Sequence, residues 1–202
     1  MGKSQQQRQK EIVEATMDLT AEQGIKKVTT QAIADKVGIA QPTIFRHFKS
    51  REAIFAAVIG WIAENLFKAI SSDLKPGDRA DEQLRKLLQR QLTFINKHRA
   101  IPKVLFSDLL HLESPKLKSA LQEVMNRYIS RVTQLLREGK DSGIYKDDLD
   151  VERTARYIAA LIQGLVLRWS VYEFNFSLEK EADIIWGFLQ PVLKNQASDN
   201  QE

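Results

Sequence analysis

The sequence predicts an all-α protein of about nine helices. Three observations predict it. Apolar residues recur at three- and four-residue spacing along nearly the whole chain, and no stretch alternates in the manner of a strand. Helix starts are marked by Ser, Thr or Asp, and several stops by Gly. The breaks between apolar-periodic stretches are short, as in packed helical domains.

The first helix is expected over Gln5–Gln23. Ser4 with Gln7 resembles a capping box, Ile12, Ala15, Thr16 and Leu19 form the inner stripe, and Gly24 ends it. Thr29 caps a short second helix, with Ile33, Ala34 and Val37 on one face. Gly38 fits a left-handed C′ position and Ile39 plugs the turn. A third helix starts near Gln41, with Pro42 in its first turn and Ile44, Phe45 and Phe48 at helical spacing. Ser50 caps a long fourth helix, from Arg51 to about Ser72, whose face runs through Ile54, Val58, Trp61, Ile62, Asn65 and Ala69.

KPGDRAD, from Lys75 to Asp81, is the clearest break. A fifth helix then runs to about His98, with Leu84, Leu87, Leu88, Leu92 and Ile95 inward. Pro102 falls in the first turn of a sixth, which is expected to end near His111. Ser114 caps the seventh, Pro115 is its first residue, and Gly143 stops it after about Ser142. Asp150 caps the eighth, from Val151 to about Phe174. Ser177 caps the ninth, from Leu178 to about Leu193, where Pro191 can shorten the last turn. The tail NQASDNQE is expected to fray.

Composition narrows the function classes. The 202 residues include no cysteine, which excludes disulfides and thiolate metal sites. The N-terminal MGKSQQQRQK lacks the basic-then-apolar pattern of a signal. No apolar run approaches the roughly 20 residues that cross a membrane, so no membrane partner is expected and the cytoplasm is the expected compartment. Formal net charge is +4; residues 1–60 hold nine Lys or Arg against six Asp or Glu, so +3 of it lies at the N-terminal end. Phosphate binding requires such an excess, although a mildly basic surface has it too.

Helix, glycine turn, helix over Thr29–Glu52 is the helix-turn-helix pattern, whose second helix enters the DNA major groove. The stretch TTQAIADKVGIAQPTIFRHFKSRE resembles the DNA-binding segment of the tetracycline-repressor (TetR) family in Thr29, Ile33, Ala34, Val37, Gly38, Ile39, Ile44, His47, Phe48, Lys49, Ser50, Arg51 and Glu52. Two positions depart from the family pattern. Ala40 replaces a serine cap, so that hydrogen bond must come from elsewhere. Phe45 replaces a common tyrosine, so a phenol contact to phosphate is lost.

The residues themselves suggest DNA contacts. Thr43, Arg46 and Lys49 can donate to phosphate oxygens, as His47 can. Gln41 can read adenine bidentately, Arg46 guanine, and the Pro42 ring a thymine methyl. The resemblance adds Thr30 and Gln31, at positions that contact phosphate and a base edge, Phe45 at the tyrosine position, and Arg51 at a position whose lysine grips phosphate. It implies a three-helix DNA-binding domain, residues 1–50, on a larger regulatory domain, residues 51–202, that binds a small molecule and dimerises through its last two helices. Candidate ligand-lining residues are Trp61, Phe94, Phe106 and Trp169, and an apolar or aromatic effector is expected.

Helix eight is apolar over much of its circumference, which asks for cover on more than one side. Tyr157, Leu161, Gly164 and Arg168, with Trp186 and Leu189 of the ninth helix, are the candidate dimer contacts. Asp108 and His111 share a helical face, but one such pair does not make a metal site. No phosphate loop, nucleophile elbow or H-E-x-x-H pattern occurs, so neither an enzyme nor a cofactor is expected. The function expected is a dimeric repressor on a palindromic double-stranded operator, released by a small effector. The rival reading is a DNA-binding architectural or partner-docking protein of the same fold that has no effector.

Overall fold

The computed structural model describes residues 4–72 and 77–194. Among them are nine α-helices and no strand: α1 Gln5–Gln23, α2 Thr30–Val37, α3 Gln41–His47, α4 Arg51–Ser71, α5 Ala80–Lys97, α6 Ala100–Leu105, α7 Pro115–Asp141, α8 Val151–Val171 and α9 Leu178–Leu193. A 3-10 turn, Ile25–Lys27, links α1 to α2, and a π-helical turn, Leu109–Glu113, precedes α7.

Most caps are local side chains. Ser4 accepts from the Gln7 N–H at 3.2 Å, Thr29 from Ala32 at 3.1 Å, Ser50 from Ala53 at 3.1 Å, and Asp150 from Arg153 at 3.0 Å. Ser177 holds the cap position of α9 but makes no cap bond; Asn96 Oδ1 accepts from the Leu178 N–H instead, at 3.2 Å. The cap is thus supplied by an asparagine 82 residues upstream, which local sequence does not reveal.

The chain divides into two compact units, Met1–Asn65 with His98–Val124, and Leu66–Lys97 with Met125–Glu202. The division at residue 50 is by expected role; packing divides the chain elsewhere. In the first unit α1 packs against α2, α3 and α6. Ile12, Val28, Ile33, Ala34, Ile44, Ile54 and Val58 are fully buried there. Lys103 of α6 donates to the Ala21 carbonyl at 2.6 Å, and Lys26 pairs with Asp108 at 2.8 Å. In the second unit α5 packs along α9, around Leu84, Leu87, Leu88 and Leu92. Tyr128 donates to Gln91 at 2.6 Å inside that core, which satisfies two buried polar groups at once.

The structure corrects three expectations. Helix six ends at Leu105 rather than near His111, and a π turn follows it. There the Ser114 N–H bonds to the Leu109 carbonyl at 3.0 Å, which re-aims the chain into α7. Helix eight ends at Val171, three residues early. Glu173 and Phe174 take left-handed φ values of 53° and 62°, fold back, and bond the Phe174 N–H to the Trp169 carbonyl at 2.9 Å. Finally, α4 is long and apolar enough to cross a membrane by length and composition alone. Its Ile54, Phe55, Val58, Ile62, Leu66 and Ile70 are buried in protein, and Glu64 and Lys68 interrupt it. The break from Lys75 falls partly outside the described residues, and the tail from Asn195 wholly so.

Candidate nucleic-acid interface

Two short helices and the turn between them build the candidate site. Gly38 takes φ 73° and ψ 40°, the left-handed conformation a Cβ would strain. This lets the Ile39 N–H reach back to the Ala34 carbonyl at 3.0 Å and the Gly38 N–H to Asp35 at 3.2 Å. The chain then enters α3. Ala40 gives no side-chain cap, and the backbone bond from the Thr43 N–H to the Ala40 carbonyl, 2.8 Å, closes the first turn. Ile44 and Phe48 are buried and hold α3 on the unit's core. The opposite face is left to Pro42, Phe45 and Arg46, all exposed, and Lys49 is exposed just past the helix end. Phe45 keeps 49% of its surface open, a large apolar group spared from packing.

Gln41 and Thr30 are the first residues of α3 and α2. Gln41 Nε2 donates to Thr30 Oγ1 at 2.8 Å, so the two helix starts are tied side chain to side chain. Gln31 is also exposed, with its amide donating to Asp35 at 2.7 Å along the helix. Thr43 is half-buried. His47 is half-buried as well, and its Nδ1 is enclosed without a hydrogen-bond partner.

Arg51, the expected phosphate grip, is the first residue of α4. Its guanidinium turns inward and donates to the Val28 carbonyl at 2.8 Å and the Ile25 carbonyl at 2.6 Å, with the Phe55 ring 4.9 Å away. Burial holds its pKa below the ordinary arginine value, against a smaller opposing pull from Glu113. The Ile25 carbonyl already accepts from the Val28 N–H at 3.2 Å, and the guanidinium adds a second donor there and one at the Val28 carbonyl just after the turn. Arg51 therefore acts here as a clamp on the loop that leads into α2.

The ligand candidates divide between the two units. Trp61 and Phe106 belong to the first unit and Phe94 and Trp169 to the second. Trp61 is half-buried and meets the His98 ring edge-on at 5.3 Å, and Phe106 is 38% exposed. Phe94 is buried. Trp169 is core: it is 1% exposed, donates to the Phe176 carbonyl at 2.8 Å and packs edge-on against Phe174 at 4.6 Å.

The dimer candidates split in a different way. Tyr157, Leu161, Gly164 and Arg168 are exposed on α8, and the Arg168 guanidinium lies 5.3 Å from the Tyr172 ring. Trp186 and Leu189 are buried in their own unit. The outer face of α9 instead exposes Ile184, Phe188 and Val192. A second apolar stripe, Ile184 and Phe188 around Gly187, was the signal in the sequence; three- and four-residue spacing alone does not say which stripe faces inward.

Asp108 is taken by Lys26, whose hydrogen bond and charge pull the carboxyl below its ordinary pKa. His111 Nε2 lies 3.0 Å from the Leu105 carbonyl oxygen. Among the described residues no three His, Asp or Glu gather as metal ligands would.

Comparison with known proteins agrees with this geometry. Residues 12–58 match the model of bacterial regulatory proteins of the tetR family, and residues 62–191 match that of the C-terminal region of YsiA-like proteins. The nucleoid occlusion factor SlmA of Vibrio atlanticus (strain LGP32) is 25% identical over 194 residues, 96% of this chain and 99% of that protein. SlmA of Shewanella pealeana is 26% identical over 168 residues, 83% and 85% of the two chains. The fatty acid degradation regulator FadR from Bacillus halodurans superposes with a TM-score of 0.80 at 20% identity, over 94% of this chain and 97% of that one. FadR from Bacillus subtilis, solved in complex with stearoyl-CoA, gives 0.74 at 22%, over 89% and 96%.

Proposed function

The chain belongs to the tetR family of bacterial regulatory proteins, and from that premise we propose that it is a dimeric, sequence-specific repressor released from its operator by an apolar small molecule. It is a DNA-binding regulator; dimer, operator symmetry, effector and a cytoplasmic site of action are the proposed parts. The observation that carries the reading is the outer face of α3. Pro42, Phe45 and Arg46 stand exposed there, with Lys49 exposed just past the helix and a Gln41 braced at its root. Pro42 and Phe45 suit thymine methyls, Arg46 guanine, Lys49 phosphate and Gln41 adenine, as reading a major groove requires.

Two copies would set their α3 helices in successive major grooves, about one helical turn apart or slightly more. Eight of the eleven large hydrophobic residues exposed among the described ones lie on α8 and its C-cap or on α9, which supports these helices as the dimer face. A two-fold contact there would present one patch twice. An effector releases DNA only if it binds better to the conformation whose two heads no longer fit the operator. The stearoyl-CoA seen in the Bacillus subtilis FadR structure supports testing long acyl thioesters first.

The SlmA likeness favours a second reading, a protein that stays on DNA and docks a partner there. Titrating the dimer onto a selected operator with and without stearoyl-CoA separates them. The repressor reading expects release. The docking reading expects continued binding with every acyl thioester and apolar ligand offered.

A further inference from the structure

We propose that Thr30 positions Gln41 for base reading, and that its hydroxyl couples a phosphate contact to that reading. The inference rests on the proposed role of Gln41 as a base reader. The sequence resemblance assigns Thr30 to phosphate alone.

The geometry is specific. Gln41 Nε2 donates to Thr30 Oγ1 at 2.8 Å, between the first residue of α3 and the first of α2. A carboxamide has two N–H donors and one acceptor oxygen, and a threonine hydroxyl can accept and donate at once. With one N–H held by Thr30, Gln41 keeps its oxygen and its second N–H. That is the donor–acceptor pair complementary to adenine N6 and N7. Thr30 in turn keeps its O–H free to donate to a phosphate oxygen. Phosphate, Thr30, Gln41 and base thus form one chain of hydrogen bonds, in which each polarises the next.

The bond also acts before DNA arrives. A glutamine on an open surface loses rotamer freedom when a base fixes it. Gln41 is half-buried and already held, so less freedom is lost on binding. Gln31 cannot take this part, since its amide points along α2 to Asp35. Thr30 is accordingly a positioning residue, and its signature is selectivity at the base Gln41 reads.

The test uses the full chain and a duplex selected from random DNA, with every single base-pair variant of it. The proteins are wild type, Thr30→Ser, Thr30→Val, Gln41→Ala and the Thr30→Val/Gln41→Ala double variant. Thr30→Val keeps the shape and removes the hydroxyl; Thr30→Ser keeps the hydroxyl. Expected is a loss of discrimination of about fivefold in Thr30→Val, the worth of one neutral hydrogen bond, only at the base pair whose preference Gln41→Ala abolishes. Thr30→Ser should retain wild-type discrimination, and Thr30→Val should change no preference once Gln41 is alanine. Loss of affinity by one common factor across the whole panel in Thr30→Val, with discrimination at the Gln41 base pair unchanged, would overturn the proposal and leave Thr30 a phosphate contact alone. If Gln41→Ala itself changes no base preference, the base-reading role fails, and the proposal with it.

Discussion

Ser114 joins the start of α7 to the first turn of α4: its hydroxyl donates to the Glu52 carboxylate while the same oxygen accepts from the Leu117 N–H at 3.2 Å. Ser114 is buried, and Glu52 closes the motif that begins at Thr29. Removing the hydroxyl strips a cap and leaves a carboxylate short of a partner. Ser114→Ala is expected to destabilise the protein by about 1–2 kcal/mol, read as a lower urea midpoint at unchanged slope.

Gly139 faces a stricter constraint. A Cβ there would lie 2.2 Å from two ring carbons of Tyr145, which is 1% exposed. Gly139→Ala is expected to destabilise by about 1–3 kcal/mol, although helix propensity alone favours alanine. A thermal melt at or above the wild-type temperature would show that the ring can move.

Asp81 makes acid stability a local matter. Burial by itself would raise its carboxyl pKa, but Arg79 at 3.2 Å and Lys194 at 2.5 Å outweigh burial and hold it at about 2 against 3.8. The folded-state value is the lower one, so its contribution is fully present above pH 3.8 and is lost as pH falls toward 2. The shift corresponds to about 2 kcal/mol. Asp81→Asn should therefore lower stability most above pH 5, with the gap to wild type closing toward pH 2.

Dimerisation is tested on α8 and α9. A Cβ at exposed Gly164 meets nothing within 4 Å, so a side chain there leaves the subunit's own packing intact. Gly164→Arg, and Phe188→Glu on the outer face of α9, are expected to sediment as monomers at micromolar concentration and to lose operator binding with helix content unchanged. Wild type sedimenting as a monomer would contradict the dimer.

The fold was legible because its signals are local. Gly38, Thr29, Ser50 and Asp150 each act on the backbone within a few residues, so element starts follow from spacing. What failed to show is tertiary. The cap of α9 comes from Asn96. Arg51 turns inward onto the carbonyls of Ile25 and Val28, 26 and 23 residues upstream, which no pattern around Arg51 announces. The burial of Trp186 and Leu189 is tertiary in the same way: α9 carries two apolar stripes, and only packing against α5 shows which one is core. On α3 the outer residues were legible, since Ile44 and Phe48 already claim the inner face, but the bond from Gln41 to Thr30 joins two helices and needed coordinates.

On DNA, Lys49→Ala and Thr43→Ala should weaken binding to all sequences alike, and Lys49→Ala should lower the salt slope by about 1. Gln41→Ala should cost about 1–3 kcal/mol at one base position of each half-site. An unchanged salt slope in Lys49→Ala would remove that residue from the phosphate contacts.

The most direct test of sequence-specific, two-fold DNA recognition is selection of bound duplexes from a random pool by the wild-type chain, at physiological salt. Two-fold recognition should enrich a pseudo-palindrome whose half-sites are centred about one helical turn apart or slightly more. Specific binding should be at least about a thousandfold tighter than to the starting pool. Recovery of no common motif, with equal affinity for selected and unselected DNA, would contradict it.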